Sequence, residues 1–428
     1  MTRLGQQVTC RFALCQKIPG CGVVPDSIFF TLFRLEVGSQ RVKGFIRFTW
    51  FFWLFGLAVL PVRSEFTALY IFGDGVSTTT NNPAAGLLPY YGFRRCNGRV
   101  WVELLAQQLN LTNNYWYSNS SANHLSYTNL SASSTNWSYT SNNWSFYGDY
   151  SPVLLTNVSN FVAPTNASNA LFIVWVNDAD FVGDMGNIYP STNIVTWTNA
   201  INQSISNHFV AITNLYAKGV RTLIMPNAVD ITEIPEYNTI SSANKSFIRQ
   251  MIVFFNSAFA PTLSNAMALC PGLKIYEPDY FSMLDNVLAN PAAYGVTNAL
   301  QNGQSIDALD DNSLTDLSLN GPGANYIFWD KIDPTAKVHA IMADIAKQLV
   351  SPAQIGQITS RNGSNQLDLV NAPIGLNGIV LGSTNLALTN WTTVTNFNST
   401  NGTQSVLVPV SGPLQFYRLN FPYSWTWP

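Results

Sequence analysis

The stretch "YIFGDGVSTTT", residues 70–80, decides the fold. It continues the apolar run Phe66–Phe72, which predicts a short buried strand, and then breaks into the turn Gly73-Asp74-Gly75. In sheets of parallel strands, ligands bind outside the carboxyl ends of the strands. We therefore expect a functional site at residues 73–75.

The chain up to residue 352 alternates between strand and helix patterns. Further strands are predicted over 170–176, 220–226 and 273–278. Helices are predicted over 97–111 with Asn97 as the cap, over 192–218 with Gly219 as the stop, over 245–269, and over 333–350 with Pro334 in the first turn. This alternation predicts an α/β fold, a parallel sheet covered by helices on both faces in three α/β/α layers.

Residues 353–428 have a different character. Helical periodicity stops near Pro352, and short strand patterns follow over 378–386, 390–397, 404–410 and 414–419. The dipeptide Asn401-Gly402 is a strong hairpin signal. We expect a larger α/β domain over 65–352 and a separate, small all-β C-terminal module over 353–428.

Residues 1–64 are expected to be a leader. They carry 8 of the 21 Lys and Arg residues and 2 of the 23 Asp and Glu residues, which leaves a net charge of −8 on the remainder. Basic residues from Arg41 to Arg47 precede an apolar run of about 15 residues, shorter than the roughly 20 of a spanning helix. The pattern predicts a signal peptide over about 41–64, cleaved near Ser64–Glu65, with an uncleaved anchor as the alternative. Localisation is then secreted, periplasmic or at the cell surface, with no stable membrane span after cleavage.

Composition narrows the function further. Only 10% of the residues are charged, and no basic stripe follows the leader, so nucleic-acid binding is disfavoured. Cys96 and Cys270 could pair, but no cysteine or histidine cluster predicts a metal, and we expect no cofactor. The three histidines, His124, His208 and His339, are the candidates for any histidine mechanism. Residues 110–147 are rich in Asn, Ser and aromatics, either as a surface loop or as an aromatic rim for sugars.

Seven segments in order resemble the SGNH/GDSL hydrolases, a family of esterases, lipases and acylhydrolases. The first three blocks are "FGDGVS" with the following "CNGRVWVELLAQQLNL", "NWSFYGDYS" over 143–151, and "VWVNDADF" over 174–181. Later segments are "KGVRTLIMPN", "DNVLANPAAYGVTN" and "YIFWDKIDPTAKVH". The resemblance covers roughly residues 66–350 and implies the three-layer, flavodoxin-like α/β/α fold of that family.

The resemblance also implies acyl transfer by a serine, a histidine and an aspartate. Here the serine position is Gly75 and the histidine position is Asp333, whereas the aspartate is kept as Asp330. The family's oxyanion hole would use the backbone N–H of Gly148 and an asparagine side chain. Gapless alignment puts Ala179 on that asparagine, and a two-residue shift puts Asn177 there instead.

Each of these positions also has a structural interpretation. Asp74 would brace the turn, Gly75 would permit a positive φ, and Asp333 would cap the last helix. His339 is expected to be structural. Ser77 is a conceivable substitute nucleophile, although no neighbouring histidine is evident as its base.

Three functions follow from these residues. The first is a secreted ester hydrolase homologue for acylated carbohydrate or lipid, impaired because its serine and histidine positions are substituted. The second is a non-catalytic glycan-binding protein on the same fold. The third is a hydrolase that activates water with Asp74 and one of Asp330 or Asp333. The expected partner is a small-molecule or glycan ester, as substrate or ligand, and the oligomeric state stays open.

Overall fold

The structure is a computed structural model. It describes residues 66–79, 90–91, 94–109, 111, 142–373, 377–386, 390–410 and 415–421. The predicted leader, His124 and most of the aromatic segment 110–147 lie outside these residues.

The first part of the described chain is an α/β domain. Its strands are β1 (Leu69–Gly73), β2 (Leu171–Trp175), β3 (Thr222–Ile224) and β4 (Lys274–Tyr276), all parallel and hydrogen-bonded in the order β1-β2-β3-β4. The helices are α1 (Trp101–Gln108), α2 (Ser151–Asn160), α3 (Asn177–Asn187), α4 (Ile194–Ala217), α5 (Ser242–Leu269), α6 (Tyr280–Ala289) and α7 (Ala336–Val350). The two-residue strands β5 (Leu300–Gln301) and β6 (Gln304–Ser305) form a small hairpin.

Residues 142–146 lie along the free edge of β1 as an irregular fifth strand. Ile71 donates its N–H to the carbonyl of Asn142 and accepts one from Trp144, and Phe146 donates to the carbonyl of Gly73. In chain order the sheet therefore reads 2-1-3-4-5, the flavodoxin-like order, in which the direction of the connections reverses between β1 and β2. Ligand sites of doubly wound sheets lie at this reversal, and here it coincides with residues 73–75.

Successive side chains of a strand point to opposite faces of the sheet, and each face packs against a different layer of helices. On one face, Trp175 of β2 packs edge-to-face on Trp101 of α1 and on Tyr280 of α6, whose hydroxyl donates to the carbonyl of Met342 in α7. On the other face, Tyr70 stacks on Phe172, and α2, α4 and α5 pack side by side. The three-layer prediction is confirmed.

α5 is the described helix that is long and apolar enough to cross a membrane by length and composition alone. Its apolar residues recur every three or four positions, and Ile248, Ile252, Phe255 and Phe259 are buried in the core. That stripe is the pattern of an amphipathic core helix.

Two three-stranded antiparallel sheets form the C-terminal part. One has the order β11-β8-β7 and the other β10-β9-β12. Their strands are β7 (Gln354–Arg361), β8 (Ser364–Val370), β9 (Asn377–Ser383), β10 (Thr392–Asn398), β11 (Gln404–Pro409) and β12 (Phe416–Asn420). Buried side chains from both sheets, Leu367, Leu369, Val380, Val406 and Val408, share one small core.

Two local predictions in this part are corrected. Asn401-Gly402 joins β10 to β11, which belong to different sheets, so it forms no hairpin. The hairpin turn is Asn362-Gly363 between β7 and β8, with φ of 42° and 82°. A type I′ turn needs a positive φ at both central residues, which asparagine and glycine tolerate. The strands β7 and β8 were absent from the sequence prediction.

The last helix begins later than predicted. α7 starts at Ala336 with Thr335 at its N-cap, so Pro334 precedes the helix and Asp333 is not its cap. The free N–H of Ala336 is met by the side-chain oxygen of Asn97, at 2.8 Å. Asn97 was predicted to cap α1, but α1 begins at Trp101 with Val100 at its N-cap. The asparagine thus ties the segment before α1 to the start of α7.

Candidate functional site

The turn after β1 is held by Asp74. Its carboxyl is buried, and Oδ1 accepts the N–H of Val76 at 3.1 Å. Burial raises the pKa of Asp74 to about 7. The predicted bracing role of Asp74 is confirmed, and nothing in these contacts requires it to react.

The space where a side chain at position 75 would begin is already occupied. A Cβ added to Gly75 would lie 2.9 Å from Cδ2 of Tyr147, closer than real Cβ contacts allow, and 3.9 Å from Cδ of Arg95. Gly75 is not among the residues with a positive φ, so the prediction that glycine is needed for backbone conformation is wrong. Glycine at position 75 instead makes room for the ring of Tyr147.

Arg95 lies on that ring. Its guanidinium carbon is 3.3 Å from the centroid of the Tyr147 ring, a close cation–π contact. Its Nη1 is 4.0 Å from Oδ2 of Asp333, so one arginine connects the family's serine position to its histidine position. We call the group Gly75, Arg95, Tyr147 and Asp333 the arginine plug.

Asp333 is one of the most buried carboxyls of the described chain. Its side chain is 2% exposed, and Oδ2 has no hydrogen-bond partner among the described residues. Burial raises its pKa well above the usual range, the nearby charge of Asp330 raises it further, and the guanidinium of Arg95 opposes both. Asp74 also contributes to this rise, which brings the turn after β1 and the loop before α7 into one electrostatic group.

Asp330 is held rigidly in that loop. Its Oδ1 accepts the N–H groups of Ile332 and Asp333, at 2.9 and 2.8 Å, and its Oδ2 accepts the hydroxyl of Tyr90 at 2.7 Å. These bonds place Asp330 beside position 333, where the family's aspartate orients its histidine.

The two candidates for the oxyanion hole lie at the same edge of the sheet. Gly148 follows the edge segment 142–146 in an exposed turn with φ of 81°. Asn177 follows β2, two residues after Trp175, which pairs with Gly73. The side chain of Asn177 is buried and donates Nδ2–H to the carbonyl of Pro226 at 2.9 Å, while Oδ1 has no partner among the described residues. Ala179, the gapless alternative, lies two residues further along α3 and carries no amide.

Ser77 is occupied as a structural hydroxyl. It is fully buried in the turn after β1, and its Oγ accepts the indole N–H of Trp101 at 3.0 Å. A hydroxyl sealed behind that indole cannot reach a substrate.

Both described histidines are structural. His339 is fully buried in α7, where Nδ1 accepts the backbone N–H of Trp101 at 3.2 Å, and burial lowers its pKa to about 3. His208 lies in α4 between Phe255 and Phe259, with Nδ1 against the carbonyl of Ser204 and with a pKa lowered by burial. Neither is positioned at residues 73–75. Cys96 and Cys270 are both buried free thiols, so the candidate pair does not form.

Sequence reasoning missed Arg95, Tyr147 and Tyr90. Arg95 is adjacent to Arg94, which instead makes a buried ion pair with Glu103 at 2.5 Å. Nothing in the sequence separates the roles of these two neighbours. Tyr147 stands directly before Gly148 in the second block, and that adjacency to a candidate site residue was the available signal. Among the described residues, no three His, Cys, Asp or Glu side chains are grouped to hold a metal ion.

Comparison with known proteins supports the family resemblance. No family model matches the chain. A GDSL esterase/lipase of Arabidopsis thaliana is 24% identical over 332 residues, which covers 69% of this chain and 86% of that protein. A second GDSL esterase/lipase of that plant is 24% identical over 334 residues, with 67% and 88% covered. An acetylesterase of Thermothelomyces thermophilus is 24% identical over 270 residues, with 56% and 80% covered.

Solved structures are similar at a lower level. The acetylxylan esterase Axe2 of Geobacillus stearothermophilus aligns over 68% of this chain and 97% of its own, with a TM-score of 0.37 and 10% identity. The chain is a distant homologue of the GDSL esterases/lipases, the SGNH hydrolases, over most of its length. These relatives are named as esterases and lipases, which are enzymes that act on esters.

Proposed function

We propose that this protein is a secreted GDSL-family homologue that has lost serine-esterase catalysis and acts as a ligand-binding protein. The observation that carries the proposal is the arginine plug. Where the family has a serine hydroxyl, this chain has Gly75 with the ring of Tyr147 packed over it. Where the family has a histidine, it has Asp333 beside Arg95.

Serine chemistry needs a nucleophile and a base in contact. Gly75 has no side chain, and Ser77 is sealed behind Trp101. The two histidines that the structure describes are both committed to contacts in the interior. Removing a nucleophile or a base usually costs several orders of magnitude in rate. Esterase turnover at this site is therefore expected to fall to the level of the uncatalysed reaction.

Asp330 supports the proposal in a different way. The resemblance assigns Asp330 the role of an orienting aspartate, and its carboxyl accepts the N–H groups of Ile332 and Asp333, yet the group beside it is another acid rather than an imidazole. The positive charge of Arg95 lies 4.0 Å from Asp333 and favours the ionised form of that carboxyl.

A carboxylate-pair hydrolase is the second candidate. It is favoured by one observation: Asp74 and Asp333 both have raised pKa values, and the charge of Asp74 contributes to the rise at Asp333. One protonated and one ionised carboxyl could serve as acid and base toward a water molecule. Asp333→Asn would abolish such an activity, whereas a binding protein would retain its ligand.

The test is a hydrolysis screen of the purified protein with short p-nitrophenyl esters, acetylated xylan and other acetylated glycans. Rates equal to the buffer rate, with Asp333→Asn unchanged, support the binding-protein proposal. Turnover that Asp333→Asn removes would support the carboxylate pair. Turnover that survives Asp333→Asn would contradict both.

Export is part of the proposal because the basic-then-apolar leader and the acidic remainder motivate it. Mass spectrometry of the secreted protein should find an N-terminus near Glu65. An intact N-terminus before residue 40 would contradict cleavage at this site.

A further inference from the structure

A cavity of about 350 Å³ with both apolar and polar lining residues lies between α2, α3 and α4, outside the arginine plug. Its volume is within the range of small-molecule sites, about 300–1,000 Å³. The wall combines carboxyl, amide and hydroxyl groups with one aromatic ring. The residues used below are Tyr150, Asp180, Asp184, Asn187, Gln203 and Asn207.

The cavity is close to the candidate functional site. Tyr150 follows Gly148 by two residues, and Asp180 follows Asn177 by three, so both of its walls begin at the edge of the sheet that carries the site. The charge of Asp180 contributes to the raised pKa of Asp74 in the turn after β1. A ligand longer than one ring could therefore lie in the cavity and extend toward residues 73–75.

Hydrogen bonds inside the wall fix its shape. Asp180 accepts the N–H of Ser151 at 2.8 Å and also the hydroxyl of Ser204, which joins α3 to α2 and α4. Asn207 donates to Oγ of Ser151 at 3.0 Å and accepts from Gln203 at 2.9 Å. These bonds preorganise the cavity wall, which lowers the entropic cost of binding a ligand.

Three groups of the wall are left for a ligand. The carboxyl of Asp184 and the amide of Asn187 make no side-chain hydrogen bond with the described residues. The side chain of Tyr150 is among the large exposed apolar groups, at 47%. A half-buried carboxyl, an amide and an open aromatic face thus border one cavity.

We propose that this cavity binds an uncharged sugar residue of a glycan. Each sugar hydroxyl both donates and accepts hydrogen bonds. Amide side chains can donate and accept in return, and carboxylate oxygens can accept. The C–H face of the sugar would pack on the ring of Tyr150, which supplies apolar contact area beside a polar tip. The proposal deepens the proposed binding function by naming a ligand class, and that class would be the same if the protein cleaved esters.

The wall disfavours other ligands. It contains two acidic side chains and no basic one, so an anionic sugar would be repelled. An acyl chain would leave the carboxyl and amide side chains without water or partners, which is costly. An organic cation would need an ionised carboxylate, but the oxygens of Asp180 are already bonded to Ser151 and Ser204, and burial raises the pKa of Asp184 to about 7.

The experiment is calorimetry on the purified protein with unacylated xylotetraose, cellotetraose and mannotetraose, so that no ester is present. Glucuronic acid, glucosamine and octanol are the comparison ligands. Tyr150→Ala and Asn187→Ala should each weaken binding of a neutral tetrasaccharide about fivefold to tenfold. Asn202→Ala is the matched control, because Asn202 is exposed on α4 next to Gln203 and outside the wall.

Thermal unfolding of every variant separates lost binding from lost folding, and Asp184→Asn is a further variant if Tyr150→Ala is unstable. Binding of a neutral tetrasaccharide that is weakened by the wall variants and not by Asn202→Ala supports the proposal. No neutral binding up to about 10 mM, binding of charged sugars only, or equal effects in wall and control variants would overturn it. Because no ester bond is involved, this outcome is separate from that of the hydrolysis screen.

Discussion

Gly75→Ser with Asp333→His and Tyr147→Ala is expected to create measurable esterase activity. The serine supplies the nucleophile, the histidine supplies its base, and the alanine removes the ring that lies 2.9 Å from the new Cβ. Asp330 is already held beside position 333 by the N–H groups of Ile332 and Asp333, so it can orient the imidazole. The three changes together rebuild the geometry that the arginine plug fills.

The expected gain is about ten- to hundredfold over the wild-type protein. A complete triad is worth about 10⁶-fold in kcat. A missing oxyanion donor costs about 10²–10³-fold, and the side chain of Asn177 is already engaged with Pro226. Imperfect placement by unadapted neighbours costs about another 10²-fold. What remains is a small but measurable rate.

The assay is hydrolysis of p-nitrophenyl acetate by the triple variant and by a matched control with Gly75→Ala in place of Gly75→Ser. The control has the same added Cβ and the same space, but no hydroxyl. Adding Arg95→Gln should raise the rate further, because the guanidinium 4.0 Å from position 333 opposes the imidazolium that forms there. Equal rates for the serine and alanine variants, both well folded, would refute the reasoning.

Three further predictions concern stability. The folded-state pKa of Asp74 is about 7, which lies above its usual value near 3.8. The wild-type protein should therefore lose about 1.4 kcal/mol of stability for each unit by which the pH rises between about 4 and 7. Asp74→Asn should remove this loss, measured as urea unfolding at both pH values. An unchanged pH slope in the variant would count against a buried neutral Asp74. Asn97→Ala should destabilise by about 1–2 kcal/mol because it uncovers the N–H of Ala336 and the carbonyl of Leu319, and Asn320→Ala at the nearby surface is the control. Limited proteolysis should cut near residues 350–358 and leave two folded pieces, and a 65–352 fragment that cannot fold would show that the two parts share a core.

Much of the α/β architecture could be predicted because it depends on local periodicity. The strand before Gly73 and the helices α4 and α5 have strong apolar patterns, and the structure places them within a few residues of the prediction. The start of α7 was misplaced because Pro334 is favoured in a first helical turn, whereas a long-range bond from Asn97 sets the first turn at Ala336. Such a bond between residues far apart in the chain has no local signature.

Turn chemistry was predicted less well. Three of the six Asn-Gly dipeptides of the chain are informative here, at 302–303, 362–363 and 401–402; the first two have positive φ at both residues and close hairpins. The third joins strands of different sheets. The dipeptide permits a tight turn, but the pairing of the flanking strands is decided by which faces they bury.

The site was predicted as a set of positions and not as an arrangement. Gly75, Asp330 and Asp333 were proposed because they align with a family pattern, and this assignment stays a prediction. Arg95 and Tyr147, which fill the site, belong to no pattern, and their contact depends on two loops meeting over β1. Only a structure brings that pair to Gly75.

Reaction of the wild-type protein with a fluorophosphonate probe, read by intact mass, tests the central claim most directly. The probe labels serines that are activated by a neighbouring base. Loss of the nucleophile predicts an unchanged mass after prolonged incubation, while a GDSL esterase with an intact serine is labelled in parallel. A stoichiometric adduct on any serine of this chain would contradict the account and would place the active nucleophile elsewhere.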